Sequence, residues 1–140
     1  MIRLIEYLDY YKSYMDIINT FTGSVEEISY DNFCKAVDSI RNQNAYIYVI
    51  EEDNIIIGTI KVIIEYKLHN NLRSVAHIED VVVHKDYRKR GLGTLLIEHA
   101  KEVSNSYNCY KIILSCNMNN IEFYKNRGFI EKGSEMTIYL

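Results

Sequence analysis

The chain has 140 residues, of which 48% are hydrophobic and 25% charged, with a net charge of -3. This is enough length for one domain, residues 1–140, with its own core, and the composition excludes an intrinsically disordered chain. An acidic balance with a pI near 5.8 argues against a protein that works through nucleic-acid backbone contacts, and no run of about eighteen apolar residues is present to cross a membrane.

The opening IRLIEY reads as a short strand. Arg3, Glu6, Asp9 and Lys12 interrupt the apolar residues here, so the segment is not read as a secretion signal and a cytoplasmic protein is expected. Asp9 is placed to cap a following helix that carries Tyr10, Tyr14, Ile17 and Ile18 on one face. Thr20 to Ser24 break that spacing and read as a loop. Ser29 is the expected cap of a second helix reaching about Arg41, with Phe33, Val37 and Ile40 inward. AYIYVIEEDNIIIGTIKVIIEY is a hairpin turning at Glu52-Asp53-Asn54, and Gly58 within its second arm marks a bulge or a close backbone approach. Lys67 to Ser74 is a loop, and residues 75–83, VAHIEDVVV, form a buried strand with a polar interruption.

The loop HKDYRKRGLG leads into a helix beginning near Gly91, with Leu92, Leu95, Leu96, Ala100 and Val103 at helical spacing. CYKIILSC is a further buried strand. Asn119 to Arg127 form a short helix closed by Gly128, and FIEKGSEMTIYL ends the chain as a strand. The order β-α-α-β-β-β-α-β-α-β predicts an α/β fold with a mixed sheet. Cys34, Cys109 and Cys116 lack CxxC spacing and read as reduced packing thiols. His69, His77, His84 and His99 lack metal-ligand spacing, so no metal is expected.

The chemistry concentrates in strand, Arg88-Lys89-Arg90-Gly91-Leu92-Gly93, helix. A helix N-terminus offers unpaired N–H groups and the positive end of its dipole. Glycine lets that backbone approach an anion closely, and the basic residues add charge. The stretch is therefore a candidate pyrophosphate cradle. It is neither a Walker A loop, since Thr94 directly follows the second glycine, nor a GxGxxG motif.

Arg-x-x-Gly-x-Gly after a strand bearing Glu79-Asp80, followed by a strand and a short helix bearing Asn120 and Tyr124, resembles the GNAT superfamily of acetyl-coenzyme-A-dependent N-acetyltransferases. HIEDVVV, YRKRGLG, NCYKIILSC, NNIEFYKNRGF and EMTIY together resemble the glucosamine-6-phosphate N-acetyltransferases within it. The resemblance implies a GNAT fold, a mixed and mostly antiparallel sheet flanked by helices, with central strands splayed at a bulge. It implies acetyl-coenzyme A as co-substrate, its pantetheine arm along Val81, Val82 and Val83 in the manner of an added strand. The pyrophosphate falls to Arg88, Lys89, Arg90, Gly91, Leu92, Gly93 and Thr94, with Asn120 and Tyr124 beyond them. An amino-sugar phosphate acceptor falls to Thr22, Lys67, Glu79, Asp80, Tyr110 and Lys111. Glu79 and Asp80 are expected to bind and help deprotonate the amine, and Tyr124 to serve the leaving thiolate. The family pattern further implies a homodimer whose copies complete each other's sugar site.

Two positions depart from that pattern. Ser115 stands where the family usually has Asp or Glu, and Tyr139 where some members carry a phosphate-binding Arg; Arg73, Arg127 and Lys132 are candidate substitutes. Two alternatives follow. One is a GNAT enzyme acting on a peptide N-terminus, a lysine or a polyamine, the last disfavoured because Lys67 and Lys111 would repel it. The other is a non-catalytic acetyl-coenzyme-A-binding module, which would not need Tyr124 or the acidic pair.

Overall fold

The computed structural model describes residues 1–25 and 27–140. Its sheet has five strands in the order β1-β2-β3-β4-β5: β1 Ile2–Leu4, β2 Ala45–Glu52, β3 Ile55–Glu65, β4 Ser74–Val83 and β5 Cys109–Ile113. The first three junctions are antiparallel and β4 to β5 is parallel. Helices α1 Tyr14–Thr22, α2 Tyr30–Arg41, α3 Leu92–Ser106 and α4 Ile121–Lys125 flank it, as the sequence predicts for a mixed α/β fold.

The hairpin β2-β3 turns at Asp53-Asn54, both with positive φ (49° and 63°), the conformation that suits a two-residue hairpin turn. The register slips beside Gly58, where Ile50 pairs with Gly58 and Glu51 with Ile56, so Ile57 is the extra residue of a bulge. Two cores follow from the strand alternation. Ile60, Val62, Ile64, Ala76 and Ile78 pack with Leu96, Ile97 and Ala100 of α3 on one face. Ile47, Val49, Ile56 and Val82 pack with Tyr14, Ile17, Phe33 and Val37 of α1 and α2 on the other. Ser29 caps α2 as expected, accepting from the Asn32 N–H at 3.1 Å.

Four expectations need correction. Asp9 does not cap α1, whose N-cap is Ser13 in the left-handed region. Asp9 is instead fully buried in a 3-10 turn, Tyr7–Tyr11, where Arg3 holds both its oxygens at 2.7 and 2.8 Å. A buried carboxylate needs such a partner, and that demand outweighs the local capping preference. The expected loop from Thr20 is still helix: α1 runs to Thr22 and ends at Gly23, φ 72°, whose N–H bonds the Asn19 carbonyl. The closing FIEKGSEMTIYL pairs with no strand among the described residues. Met136, Ile138 and Leu140 alternate as a strand would, yet all three are exposed, with no element among the described residues covering them. Cys109 is buried, but Cys116 is exposed and is not a packing thiol.

Candidate active site

β4 leaves its partner part-way along. Its pairs with β5 run from Ser74↔Cys109 to His77↔Ile113 and stop, while its pairs with β3 continue to Gly58↔Val83. The two central strands thus splay after His77, and the edge of β4 from Ile78 onward faces a gap. A strand edge without a neighbour presents backbone groups that an extended ligand can pair with. Two cavities lie end to end along that edge. One, about 290 Å³, runs past Glu79, Asp80 and Val81 on one side and Ser115, Cys116 and Asn117 on the other, with Asn120 and Tyr124 above. The second, about 320 Å³, is bounded by Val83, Arg88, Lys89, Gly91, Gly93 and Thr94, with Phe123 and Arg127 from the α4 side.

The second cavity is lined by the glycine loop and by basic side chains. Gly91 has φ 77° and Lys89 φ 63°, so the loop turns through the left-handed region twice just ahead of α3. A Cβ on Gly93 would stand 3.1 Å from the Phe123 ring, so glycine lets the ring pack against the helix start without being displaced. Sequence reasoning did not place Arg127 here. Its guanidinium lies 3.6 Å over the Phe123 ring and donates to Thr94 Oγ1 at 2.9 Å and the Phe123 carbonyl at 2.6 Å. Arg88 donates to the Val83 carbonyl at 3.3 Å. No carboxylate pairs with Arg88, Lys89 or Arg127 among the described residues. Arg90 differs: Glu52 takes it in a two-pronged pair at 2.8 and 3.1 Å, and it faces away from the cavity.

The first cavity is dominated by side-chain charge. Regular alternation would send Glu79 and Asp80 to opposite faces of the sheet. The register shows otherwise: Lys61 pairs with Glu79 but Thr59 with Val82, leaving Asp80 and Val81 opposite Ile60 alone. Asp80 is the extra residue, with φ 53°, a left-handed conformation that Asp tolerates better than most residues. Its carboxylate meets Lys61 Nζ at 2.9 Å. The lysine comes from the neighbouring strand β3 and takes only Asp80 of the acidic pair. Glu135 of the C-terminal segment also lines the cavity.

The Tyr124 hydroxyl is pushed above its ordinary pKa, chiefly by burial and secondarily by Cys116, with Arg127 opposing. It is therefore a neutral donor near neutral pH. Phe123 and Phe129 hold its ring edge-on at 5.0 and 5.8 Å.

The remaining sequence candidates lie outside both cavities. Lys67 pairs with Glu65, which also bonds His77 Nε2 at 2.9 Å. Lys111 sits 5.6 Å over the Tyr110 ring. These residues gather round His77, whose pKa is lowered by burial and then by Lys67 and Lys111. They form a basic group on the β4-β5 face just before the splay. Thr22 is not brought to the cavity; it bonds the Asn19 carbonyl and Ser24 Oγ, and its neighbour Phe21 lines the site instead. Val82 is buried in the core, while Val81 and Val83 border the first and second cavities. Among the described residues no group of His, Cys, Asp and Glu is clustered to hold a metal.

A splayed parallel strand pair with a bulged central strand and a glycine loop opening a helix is the architecture of an acyl-coenzyme-A-using transferase. The acetyltransferase (GNAT) family model matches residues 10–129, and the chain belongs to that family, whose co-substrate is acetyl-coenzyme A. Within it the chain is similar to glucosamine 6-phosphate N-acetyltransferases. It is 33% identical over 136 residues to glucosamine 6-phosphate N-acetyltransferase 1 of Dictyostelium discoideum, spanning 94% of this chain and 85% of that one. It is 34% identical to the Arabidopsis thaliana enzyme over 99% of this chain and 95% of the relative. The crystal structure of that Arabidopsis enzyme superposes with a TM-score of 0.92, covering 99% of this chain and 97% of the other at 32% identity. A Trypanosoma brucei acetyltransferase superposes with a TM-score of 0.93, covering 100% and 99% at 30% identity.

Proposed function

We propose that residues 1–140 act as one enzyme domain that transfers the acetyl group of acetyl-coenzyme A to the amine of glucosamine 6-phosphate. The products are N-acetylglucosamine 6-phosphate and coenzyme A, and the first of these feeds amino-sugar nucleotide synthesis. The observation that carries this reading is the gap along β4, with an anion cradle at one end and a carboxylate-lined pocket at the other. The names of the relatives supply the sugar.

The reaction is direct attack in a ternary complex. The sugar amine loses a proton and its nitrogen attacks the thioester carbonyl carbon. The tetrahedral intermediate then collapses, breaking the carbon–sulfur bond. Glu79 receives the amine as a cation and takes its proton, directly or through water, while Asp80, engaged by Lys61, takes no part in the proton transfer. Tyr124 donates to the leaving thiolate, for which a hydroxyl kept neutral by burial is suited. Val81, Val82 and Val83 offer backbone to the pantetheine arm. Amides from Lys89 to Thr94 hold the pyrophosphate, aided by Arg88 and Lys89, with Asn120 lining the thioester end. Arg127 joins that grip, since it faces the cradle with only neutral acceptors. Arg90 contributes backbone only, its side chain being engaged by Glu52. Lys67, Tyr110 and Lys111 receive the sugar phosphate, and Phe21 rather than Thr22 reaches the pocket from α1.

The enzyme works as a homodimer. Support comes from residues 129–140, whose alternating Met136, Ile138 and Leu140 are exposed and unpaired; a second copy of the chain would cover them. No helix among the described residues is long and apolar enough to cross a membrane, which fits the cytoplasmic site at which this substrate is met.

Thiol release from acetyl-coenzyme A is the test, with glucosamine 6-phosphate, glucosamine, spermidine, lysine and an N-terminal peptide as acceptors. Turnover with the phosphorylated sugar and little with glucosamine is expected. Turnover confined to another amine would move the substrate assignment and leave the family chemistry in place.

A further inference from the structure

Lys61 is a charged side chain beside the acidic pair that no role yet covers. It projects from β3 directly across from Glu79 in the register, and its Nζ stands 2.9 Å from Asp80. The bulge makes this convergence. Glu79 and Val82 share the face of Lys61 and Thr59, and the inserted Asp80 is turned by its positive φ toward the same lysine. On the α1 side the nearest titratable group is Tyr14, whose hydroxyl is pushed up to about 12 by burial first and by Asp80 among later causes. It is neutral and supplies no countercharge. Glu79 has no ion-pair partner among the described residues, and Glu135 approaches the cavity from the C-terminal segment.

We propose that Lys61 is a positioning residue of the acetyl transfer: by taking up the Asp80 carboxylate it leaves Glu79 as the one unpaired carboxylate that β4 presents to the acceptor amine. Two unpaired carboxylates beside an ammonium ion favour its charged form and so hold the proton that attack requires it to lose. One carboxylate attracts the amine and accepts that proton. Lys61 therefore trades acceptor affinity for reactivity. A lysine that bound the sugar phosphate would do the opposite, raising affinity with no effect on the proton. The inference rests on the reading of the acceptor as a primary amine.

The test is steady-state kinetics of the full chain and its Lys61→Met and Lys61→Arg variants. Lys61→Met is expected to lower kcat about tenfold, the effect of about one unit in the bound amine's pKa, and to lower the acceptor KM about threefold. The KM for acetyl-coenzyme A stays within about twofold. Lys61→Arg restores both parameters, and adding Asp80→Asn to Lys61→Met recovers kcat by removing the freed charge. If Lys61→Met alone does not fold, the Lys61→Met/Asp80→Asn pair, which leaves no unpaired charge, is expected to fold and turn over within about threefold of Asp80→Asn; a far lower rate would overturn the proposal. A raised acceptor KM at unchanged kcat, a change confined to the acetyl-coenzyme A KM, or a loss that neither Arg nor Asn repairs would also overturn it. Wild-type failure with glucosamine 6-phosphate alone removes the substrate assignment, and the series is then read with the amine that the wild type does acetylate. Turnover with no amine at all removes both.

Discussion

At the Arg88 to Thr94 end of the β4 gap the polar groups are backbone amides of the loop, joined by Arg88, Lys89 and Arg127, which no acid pairs with among the described residues. At the acceptor end they are carboxylates carried on side chains, and a lysine from the next strand partly cancels them. A backbone cradle depends on local conformation: Gly91 must adopt φ 77° and Gly93 must admit Phe123. A side-chain pocket depends on register, because one inserted residue at Asp80 decides which acids face together. The first kind of site is written in a short motif. The second is written in the pairing of two distant strands.

The largest test of this contrast is at the acceptor end. Glu79→Gln and Tyr124→Phe are each expected to lower kcat by about a hundredfold, the usual weight of one proton-transfer group, with little change in the KM for acetyl-coenzyme A. A Glu79→Gln enzyme with wild-type kcat would show that the side-chain pocket is not where the proton goes. The tyrosine assignment has a pH signature as well. Burial raises the Tyr124 pKa above its ordinary value of 10.0, so the wild type keeps its donor at all lower pH and loses it only above that value. A rate that falls between pH 7 and 9 in wild type but not in Tyr124→Phe would contradict the assignment.

Next comes the Arg88 to Thr94 end. Gly93→Val drives a side chain against Phe123, on which Arg127 is stacked. Its expected signature is a KM for acetyl-coenzyme A raised about tenfold, roughly 1.4 kcal/mol, with the acceptor KM little altered. Arg127→Ala should give a smaller rise of about fivefold, since the backbone amides remain. An Arg127→Ala enzyme with unchanged coenzyme KM would return this residue to a purely structural role between Thr94 and α4. Arg90→Ala is the contrast within the same loop. Its solvent-exposed pair with Glu52 predicts little change in stability and a coenzyme KM within about twofold of wild type.

The smallest effect lies far from both ends. Lys12 and then Arg3 hold Glu51 below its ordinary carboxylate value of 4.5. The folded state thus favours the ionised form, and the stabilisation is complete above that value and fades as pH falls through the lower folded pKa. Glu51→Gln should therefore flatten the acid limb of a thermal-melt pH series below about pH 5, while the neutral-pH rate is kept. An acid limb identical to wild type would count against the network.

The C-terminal half was the more legible in residues. Strand 75–83, the Arg88 to Gly93 loop and the helix carrying Asn120 and Tyr124 lie where hydrophobic spacing and the glycines put them. The N-terminal half was harder. Asp9 looks like a helix cap by sequence, and only the arrival of Arg3 from β1 and the neighbouring Glu51 from β2 makes it a buried ion-pair partner. Lys61 gave no sequence signal either, and the sequence offers Arg127 only as a substitute for the sugar-phosphate arginine, not for the place beside Thr94 that it takes. One is a strand lysine and the other a residue at the end of a short helix, and each acquires meaning from a neighbour more than fifteen residues away.

By itself the sequence determined most of the elements, the mixed α/β class and the glycine loop that opens α3, because these follow from interactions among residues close along the chain. Hydrophobic period sets the strand or helix, a glycine sets a turn, and a helix start supplies its own N–H groups. The tertiary structure alone decided where β4 leaves β5, that Asp80 turns to the side of Glu79, and that Lys61 meets it there. Those outcomes depend on strand register, and register is a property of pairs of segments brought together by folding rather than of either segment read alone.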